Sequence, residues 1–293
     1  SRLLRAAGLQ PGDHVAICME NHDRYMEIVW GCHYAGVIYT AASSRLTSRE
    51  LAYIVNDCAA KVFITSSYKA DQAAEIVAET PGVELRLMLD GTIDGHESYE
   101  TAVEAQSGEP LENRIAGVDM LYSSGTTGMP KGVALKFTEQ PLEETGGAVA
   151  PLLQLLFQVD ATSTYLSPAP FYHAAPLRFC MAAMGLGATV VAMEHFDAEG
   201  YLAAVEKFGV THSQVVPTMF VRMLKLDPGV REKYDVSSLK AVIHAAAPCP
   251  VPVKKQMIQW FGPVIHEYYA GTEGTIYYYY AFPKNKMNDW LVA

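Results

Sequence analysis

A glycine- and hydroxyl-rich segment, residues 122–132, is the part of the sequence best suited to binding phosphate. It follows a short apolar strand predicted around Met120 and Leu121. Glycines let the backbone approach an anion and point several N–H groups at it. Hydroxyl groups add donors for the phosphate oxygens, and a lysine adds a positive charge. The residues that supply these groups are Ser123, Ser124, Gly125, Thr126, Thr127, Gly128 and Lys131.

The order of residues in this segment differs from that of a P-loop, where a glycine, a lysine and a hydroxyl residue are adjacent. Here Pro130 stands between Gly128 and Lys131. A surface turn rich in small polar residues is the alternative interpretation, and it would suit a generic Ser/Gly/Thr loop. The complete string, which ends in a lysine, favours phosphate binding.

Three side chains near the end of the chain could extend this chemistry. Tyr269 offers a flat ring on which a base can stack. Thr272 offers a hydroxyl for a phosphate oxygen, and Glu273 is a hard oxygen ligand of the kind that Mg²⁺ prefers. The alternative interpretation is an ordinary strand end with a solvated glutamate.

Two other segments could bind a ligand. Residues 244–248, His-Ala-Ala-Ala-Pro, are small enough for a planar ring to lie against the backbone. A tightly packed core turn explains them equally well. His173 ends the aromatic segment 170–173, and a lone histidine of this kind is more often structural than catalytic.

The amino-acid composition excludes some classes of protein. The chain has 293 residues, 50% of them hydrophobic and 18% charged, which excludes a disordered chain. A net charge of −10 argues against a main role in binding nucleic acid or an anionic membrane. The five cysteines include no CxxC pair, so the sequence predicts no disulfide framework and suits a cytoplasmic location. The longest nearly apolar run, 179–193, is shorter than the ~18 residues of a transmembrane helix.

Strand-like and helix-like patterns alternate along the chain. Asn21 is expected to cap a helix over 24–35, and Thr47 with Glu50 has capping-box spacing at the start of the next helix. The predicted strands are 14–19, 37–40, 61–65, 85–89, 188–193, 211–216 and 239–243, and the later helices are 198–208 and 253–261. Strands separated by helices predict an α/β fold with parallel pairing and helices on both faces. A polar stretch at 107–114 predicts a division into residues 1–110 and 111–293.

Four segments in order resemble the motifs of the adenylate-forming superfamily, which includes acyl-CoA synthetases, 4-coumarate–CoA ligases, luciferases and peptide-synthetase adenylation domains. Residues 122–132 resemble its phosphate-binding signature, 170–173 its aromatic-His motif and 244–248 its Gly/Ala-Ala-Pro motif. Residues 267–273 resemble its Tyr-Gly-x-Thr-Glu motif, with Ala270 in place of the usual glycine. The stretch 34–51 is also similar to these enzymes, so the resemblance covers nearly the whole chain.

The resemblance implies stacked, mostly parallel sheets with flanking helices, and ATP, Mg²⁺ and coenzyme A as ligands. It implies catalytic roles for Lys131, His173 and Glu273, with Glu273 and Ser123 as metal ligands. The implied ATP and AMP contacts are Ser123, Ser124, Gly125, Thr126, Thr127, Gly128, Lys131, Ala246, Ala247, Pro248, Glu267, Tyr268, Tyr269 and Thr272. The implied acyl pocket contains His173, Ala174, Val216 and Pro217, although core packing explains the last two equally well. This reading requires the loop that ends in Lys131 to face Glu273 across a shared cleft.

The resemblance also predicts the reaction and its partners. An acid is first joined to AMP and then transferred to coenzyme A. Amino-acid-activating relatives place an aspartate after the phenylalanine of the aromatic motif, whereas here Tyr172 follows Phe171, so an apolar fatty, aryl or sterol-type acid is expected. Transfer to a carrier protein, luciferase-type oxidation and an inactive nucleotide-binding fragment remain alternatives. Neither nucleic acid nor a transmembrane segment is expected, and a homodimer is a further expectation.

The ends of the chain predict a piece of a longer protein. The chain begins with Ser1 and stops at Ala293 without a closing helix. We expect a truncated N-terminal core that lacks the family's small C-terminal domain and its lysine. Such a piece is expected to complete the reaction only slowly.

Overall fold

The computed structural model describes residues 1–123, 129–144, 149–271 and 274–280. These residues form two compact units. Unit 1 contains the described residues up to 144 together with Phe171–Ala174, and unit 2 contains the described residues from 149 onward except those four.

Unit 1 is built on a mostly parallel sheet. Its strands are β1 (His14–Cys18), β2 (Ile38–Ala41), β3 (Ala60–Ser66), β4 (Leu85–Leu89), β5 (Glu97–Ser98), β6 (Val118–Ser123) and β7 (Lys131–Ala134). They lie in the order β5-β4-β3-β1-β2-β6-β7, and β7 runs antiparallel to β6. Its helices are α1 (Arg2–Ala6), α2 (Tyr25–Tyr34), α3 (Ser48–Asp57), α4 (Ala70–Ile76) and α5 (Tyr99–Glu104), with 3₁₀ turns at Ser67–Lys69 and Leu142–Glu144. The central strands are buried along almost their whole length, as expected for a sheet that helices cover on both faces.

One predicted helix start in unit 1 is confirmed and another is wrong. Thr47 caps α3 in a capping box, in which its hydroxyl accepts from the Glu50 N–H and its own N–H donates to the Glu50 carboxylate. The N-cap of α2 is Arg24 rather than Asn21. The carboxamide oxygen of Asn21 instead accepts a hydrogen bond from the backbone N–H of Phe171 at 2.9 Å. A longer-range contact has replaced the local cap.

Unit 2 contains a second sheet of the same kind. Its strands are β8 (Thr164–Ser167), β9 (Thr189–Ala192), β10 (His212–Val215), β11 (Ala241–His244), β12 (Ile265–Gly271) and β13 (Gly274–Tyr280). They lie in the order β13-β12-β11-β10-β8-β9, and β13 runs antiparallel to β12. The remaining helices are α6 (Val149–Phe157), α7 (Ala174–Gly185), α8 (Ala198–Phe208), α9 (Pro217–Leu224), α10 (Pro228–Lys233) and α11 (Val251–Phe261). An apolar core between this sheet and α8, α9 and α11 includes Tyr201, Phe220, Val242, Met257 and Ile265.

The predicted α/β class with parallel sheets and flanking helices is confirmed. The predicted division at residue 110 differs from the boundary in the structure. β6 pairs in parallel with β2, and β7 extends the sheet from β6, so the chain after residue 110 completes the first sheet. The polar stretch 107–114 is a connection inside unit 1. None of the helices in the described ranges combines the length and the apolar character needed to cross a bilayer.

The carboxyl ends of three neighbouring strands lie level with one another in unit 2. Val215 of β10 pairs in register with His244 of β11, and His244 pairs with Glu267 of β12. Because these strands are parallel, the segments that follow them leave the sheet at the same edge. That is the edge at which open α/β sheets commonly bind ligands.

One backbone position at this edge is strained. Ala246, just after β11, has a φ of +74°, in the left-handed region that L-residues other than glycine rarely adopt. Such a conformation costs about 1–2 kcal/mol in a residue with a Cβ atom. Strained residues cluster at functional sites, where the surrounding structure holds them.

Replacing Ala246 with glycine should therefore stabilise the chain. We expect Ala246→Gly to raise the free energy of unfolding by about 0.5–1 kcal/mol, since relief of the strain exceeds the entropy that glycine adds to the unfolded chain. Ala247→Gly is the matched control, because Ala247 has no positive φ, and it should lower stability. Chemical denaturation of both variants measures the difference. Equal destabilisation by the two would show that Ala246 is not strained.

Candidate functional site

The two described ends of the predicted phosphate-binding loop are held together in unit 1. Ser123 at the end of β6 pairs in register with Lys131 at the start of β7. The Ser123 hydroxyl donates to the Lys131 carbonyl at 3.5 Å, and the Lys131 side chain is exposed. The other predicted members of the loop lie outside the described residues: Ser124, Gly125, Thr126, Thr127 and Gly128. Phosphate binding by this loop stays a prediction.

The backbone of this hairpin passes close to two side chains of β6 at Gly132. A Cβ atom added to Gly132 would lie 2.4 Å from the Met120 side chain and 3.1 Å from the Tyr122 ring, so only glycine fits there without a shift. The Tyr122 hydroxyl in turn donates to the Asp57 carboxylate at the end of α3, at 2.6 Å. Asp57 was not predicted from the sequence, because nothing local to α3 links it to the hairpin.

Phe171 and His173 of the aromatic-His segment belong to unit 1. Phe171 is buried, and its ring lies 5.1 Å from that of Tyr25 between centroids. Asn21, at the carboxyl end of β1, accepts from the Phe171 N–H. These contacts hold the residue two positions before His173, and they were not predicted from the sequence.

His173 directly precedes α7, and Ala174 is the first residue of that helix. The imidazole is exposed and lies 4.5 Å from the Tyr172 ring between centroids. Partial desolvation lowers the pKa of His173, and the positive charge of Arg45 lowers it further. The ring is therefore neutral at neutral pH, with one nitrogen able to donate and the other to accept.

The predicted adenine-side residues lie at the carboxyl edge of the second sheet. Ala246, Ala247 and Pro248 are exposed in the loop after β11. Tyr269 of the neighbouring β12 is 71% exposed, so its ring is available for stacking. The structure thus brings the small loop and the flat ring to adjacent strand ends.

Tyr268 differs from its neighbour, because its side chain points to the opposite face of β12. It is buried, its ring stacks on Phe179 at 5.5 Å between centroids, and its hydroxyl accepts from the Gln214 amide at 2.7 Å. Any contact of Tyr268 with a nucleotide would therefore come from its backbone. Thr272 and Glu273 lie outside the described residues, and their roles stay predictions.

Val216 and Pro217 follow β10 at the same edge. Pro217 is buried at the start of α9, where a proline suits the first turn of a helix, and Val216 is half-buried. Val215 pairs with His244, the last residue of β11, so Val216 and Pro217 lie beside the loop that follows β11. The structure therefore places the predicted acyl-pocket residues of unit 2 next to the predicted adenine-side loop.

A charged cluster below this edge was also not predicted from the sequence. Lys254 of α11 is buried and donates to the carboxylate of Glu267. His244 is fully buried and lies 3.9 Å from the same Glu267 oxygen. Burial and the Lys254 ammonium lower the pKa of His244 to about 4, so this imidazole is neutral at neutral pH.

Known proteins resemble this chain in both sequence and fold. The family of AMP-binding enzymes matches residues 1–291. A feruloyl-CoA synthase from an Amycolatopsis species is 32% identical over 262 residues, which are 87% of this chain and 48% of that protein. A fatty acid–[acyl-carrier-protein] ligase, ScoC of Streptomyces coeruleorubidus, is 28% identical over 247 residues, which are 84% of this chain and 46% of that protein. The chain spans about half the length of these curated relatives.

The amide bond synthetase McbA from Marinactinospora thermotolerans has a similar fold. It superposes with a TM-score of 0.76 at 24% identity, over 94% of this chain and 53% of that one. The two-sheet architecture of this chain is therefore shared with that enzyme. With a family match that extends over nearly every residue, the chain belongs to the AMP-binding enzymes.

Proposed function

We propose that this chain is the nucleotide- and acid-binding part of an acid–CoA ligase that uses ATP and releases AMP. The observation that carries the proposal is the carboxyl edge of the second sheet, where the exposed Ala246–Pro248 loop lies beside the exposed Tyr269 ring. A small, flat loop next to an aromatic ring suits a planar base. The relationship to feruloyl-CoA synthase supports a CoA ligase.

The proposed chemistry proceeds in two steps. An oxygen of the acid's carboxylate bonds to the α-phosphorus of ATP, the bond from that phosphorus to the bridging oxygen breaks, and pyrophosphate leaves. The sulfur of coenzyme A then bonds to the acyl carbon of the resulting acyl-AMP, its proton passes to solvent, and AMP leaves. The first step is needed because a free carboxylate has no leaving group that a thiol can displace.

The residues of this chain have mainly electrostatic roles in the proposal. Two anions must meet in the first step, so positive charge and hydrogen-bond donors lower its barrier. Lys131 and the hydroxyls near it, including that of Ser123, are assigned to the phosphates. The Glu273 carboxylate and the Ser123 hydroxyl are hard oxygen donors that fit Mg²⁺. When bound, that ion would neutralise phosphate charge.

We infer an apolar acid as the substrate. The aromatic segment that ends in His173 has no carboxylate to hold an amino group, and Val216 and Pro217 are apolar. A fatty, aryl or sterol-type acid fits these residues. Because ATP and coenzyme A are cytoplasmic and the cysteines of this chain are free thiols, we also infer a cytoplasmic location. The homodimer stays a prediction.

The Glu273 assignment can be tested by removing its charge. We expect Glu273→Gln in the natural full-length protein to slow acid-dependent pyrophosphate release by a factor of about 10²–10³, the usual effect of losing one electrostatic group. Glu232→Gln, an exposed site in α10, is the matched control and should leave the rate unchanged. Near-native pyrophosphate release by Glu273→Gln would refute the assigned role.

Transfer to a carrier protein is the second candidate outcome. The similarity to ScoC, a fatty acid–[acyl-carrier-protein] ligase, supports carrier-protein loading as this alternative. We expect the full-length protein, given ATP and a panel of apolar acids, to form thioesters with coenzyme A faster than with a phosphopantetheinylated carrier protein. Mass spectrometry of both products measures this directly. Faster loading of the carrier protein would replace the CoA assignment while leaving the adenylation step intact.

A further inference from the structure

A lysine occupies a core position of α11. The buried residues of this helix are Lys254, Met257 and Phe261, and their spacing of three and four residues places them on one face. Met257 and Phe261 pack into the apolar core of unit 2. A buried charge at a position that suits an apolar residue is costly unless it is paired, so its partner is informative.

That partner is Glu267, on the face of β12 that points toward α11. The Lys254 ammonium donates to Glu267 Oε2. The charged and titratable groups that interact with this carboxylate are Lys254 of α11, His244 of β11 and Cys249 of the intervening loop. Since His244 is neutral at neutral pH, the positive charge against Glu267 comes from Lys254. Burial raises the pKa of Cys249, so its thiol adds no charge.

The ion pair holds the Glu267 carboxylate without burying the side chain. Glu267 is 31% exposed even though Lys254 holds Oε2, so a ligand can reach this side chain as a hydrogen-bond acceptor. Side chains alternate along a strand, so Tyr269 lies on the same face of β12 as Glu267, about 7 Å further along. A fixed acceptor therefore lies beside an exposed ring that is suited to stacking a base.

We propose that Lys254 is a positioning residue that orients Glu267 to select adenine over guanine. This inference rests on the proposed function, because it assigns the Tyr269 ring to the base of ATP. The adenine 6-amino group donates to a carboxylate oxygen, whereas the guanine 6-oxo group would face that oxygen as a second acceptor. Without Lys254, the carboxylate is free to rotate and loses this geometry. The negative charge of Glu267 is then unpaired, so the carboxylate also has to turn toward solvent.

The test compares binding of Mg·ATP and Mg·GTP by calorimetry, with KM and kcat measured in the natural full-length protein. We expect the wild type to bind ATP at least about 50-fold more tightly than GTP, the size of one charge-assisted hydrogen bond. Lys254→Met should reduce that ratio about tenfold or more. It should raise the KM for ATP and change kcat less than about threefold. Lys254→Arg should retain most of the preference, because it keeps the charge and the donors.

Lys255→Met is the matched control. It removes the adjacent lysine of the same helix, which is exposed, and should leave the ATP to GTP ratio unchanged. If Lys254→Met fails to fold, the double variant Lys254→Met/Glu267→Gln removes both charges of the ion pair at once. The double variant should fold and bind the two nucleotides with similar affinity.

The outcomes separate this inference from the proposed function. A wild type that binds no ATP would overturn both. ATP binding with an unchanged ATP to GTP ratio in Lys254→Met, or a full ATP preference in the double variant, would overturn the inference alone. Equal weakening of ATP and GTP binding by Lys254→Met would also overturn it, since a merely structural lysine would act in that way.

Discussion

The lateral register of three parallel strands is the constraint on which the candidate nucleotide site depends. Hydrogen bonds between β10, β11 and β12 place Val215, His244 and Glu267 in one row. The segments that follow this row leave the sheet at a common edge. A slip of one residue in β12 would turn Glu267 and Tyr269 to the face that Tyr268 occupies, away from α11. The register therefore decides which side chains of β12 face α11 and which pack on the opposite face of the sheet.

The order of the strands creates a switch point at this edge of the second sheet. β8 lies between β9 and β10. After β8 the chain forms β9 on one side of it, and then crosses back to form β10 on its other side. Parallel sheets bind ligands near such a switch point, where the connections diverge and leave space between them. The segment that leads to Phe171 and His173 follows β8, and Val216 and Pro217 follow β10.

Local patterns predicted local structure well in this chain. The bounds of α8 match the prediction at 198–208, and the capping box at Thr47 is present, since both depend on residues close in sequence. Asn21 shows the limit of such patterns. It has the side chain of a helix cap, but a backbone N–H far along the chain competes successfully for its oxygen.

The candidate site shows the same limit. The loop after β11 and Tyr269 could be found from residue types at short spacing. The pairing of Lys254 with Glu267 joins a helix to a strand, so no local pattern reveals it. The signal that could have found it is the spacing of Lys254 with Met257 and Phe261, which places a charged residue on an apolar face.

The docking of Phe171 on Asn21 has a consequence for how the protein is made. Unit 1 is not one continuous stretch of chain, because four of its residues come after the first part of unit 2. During synthesis the first sheet can assemble early, but Tyr25 of α2 lacks its Phe171 contact until that residue leaves the ribosome. Closing this long-range contact costs loop entropy, so we expect it to form after the local contacts of the first sheet.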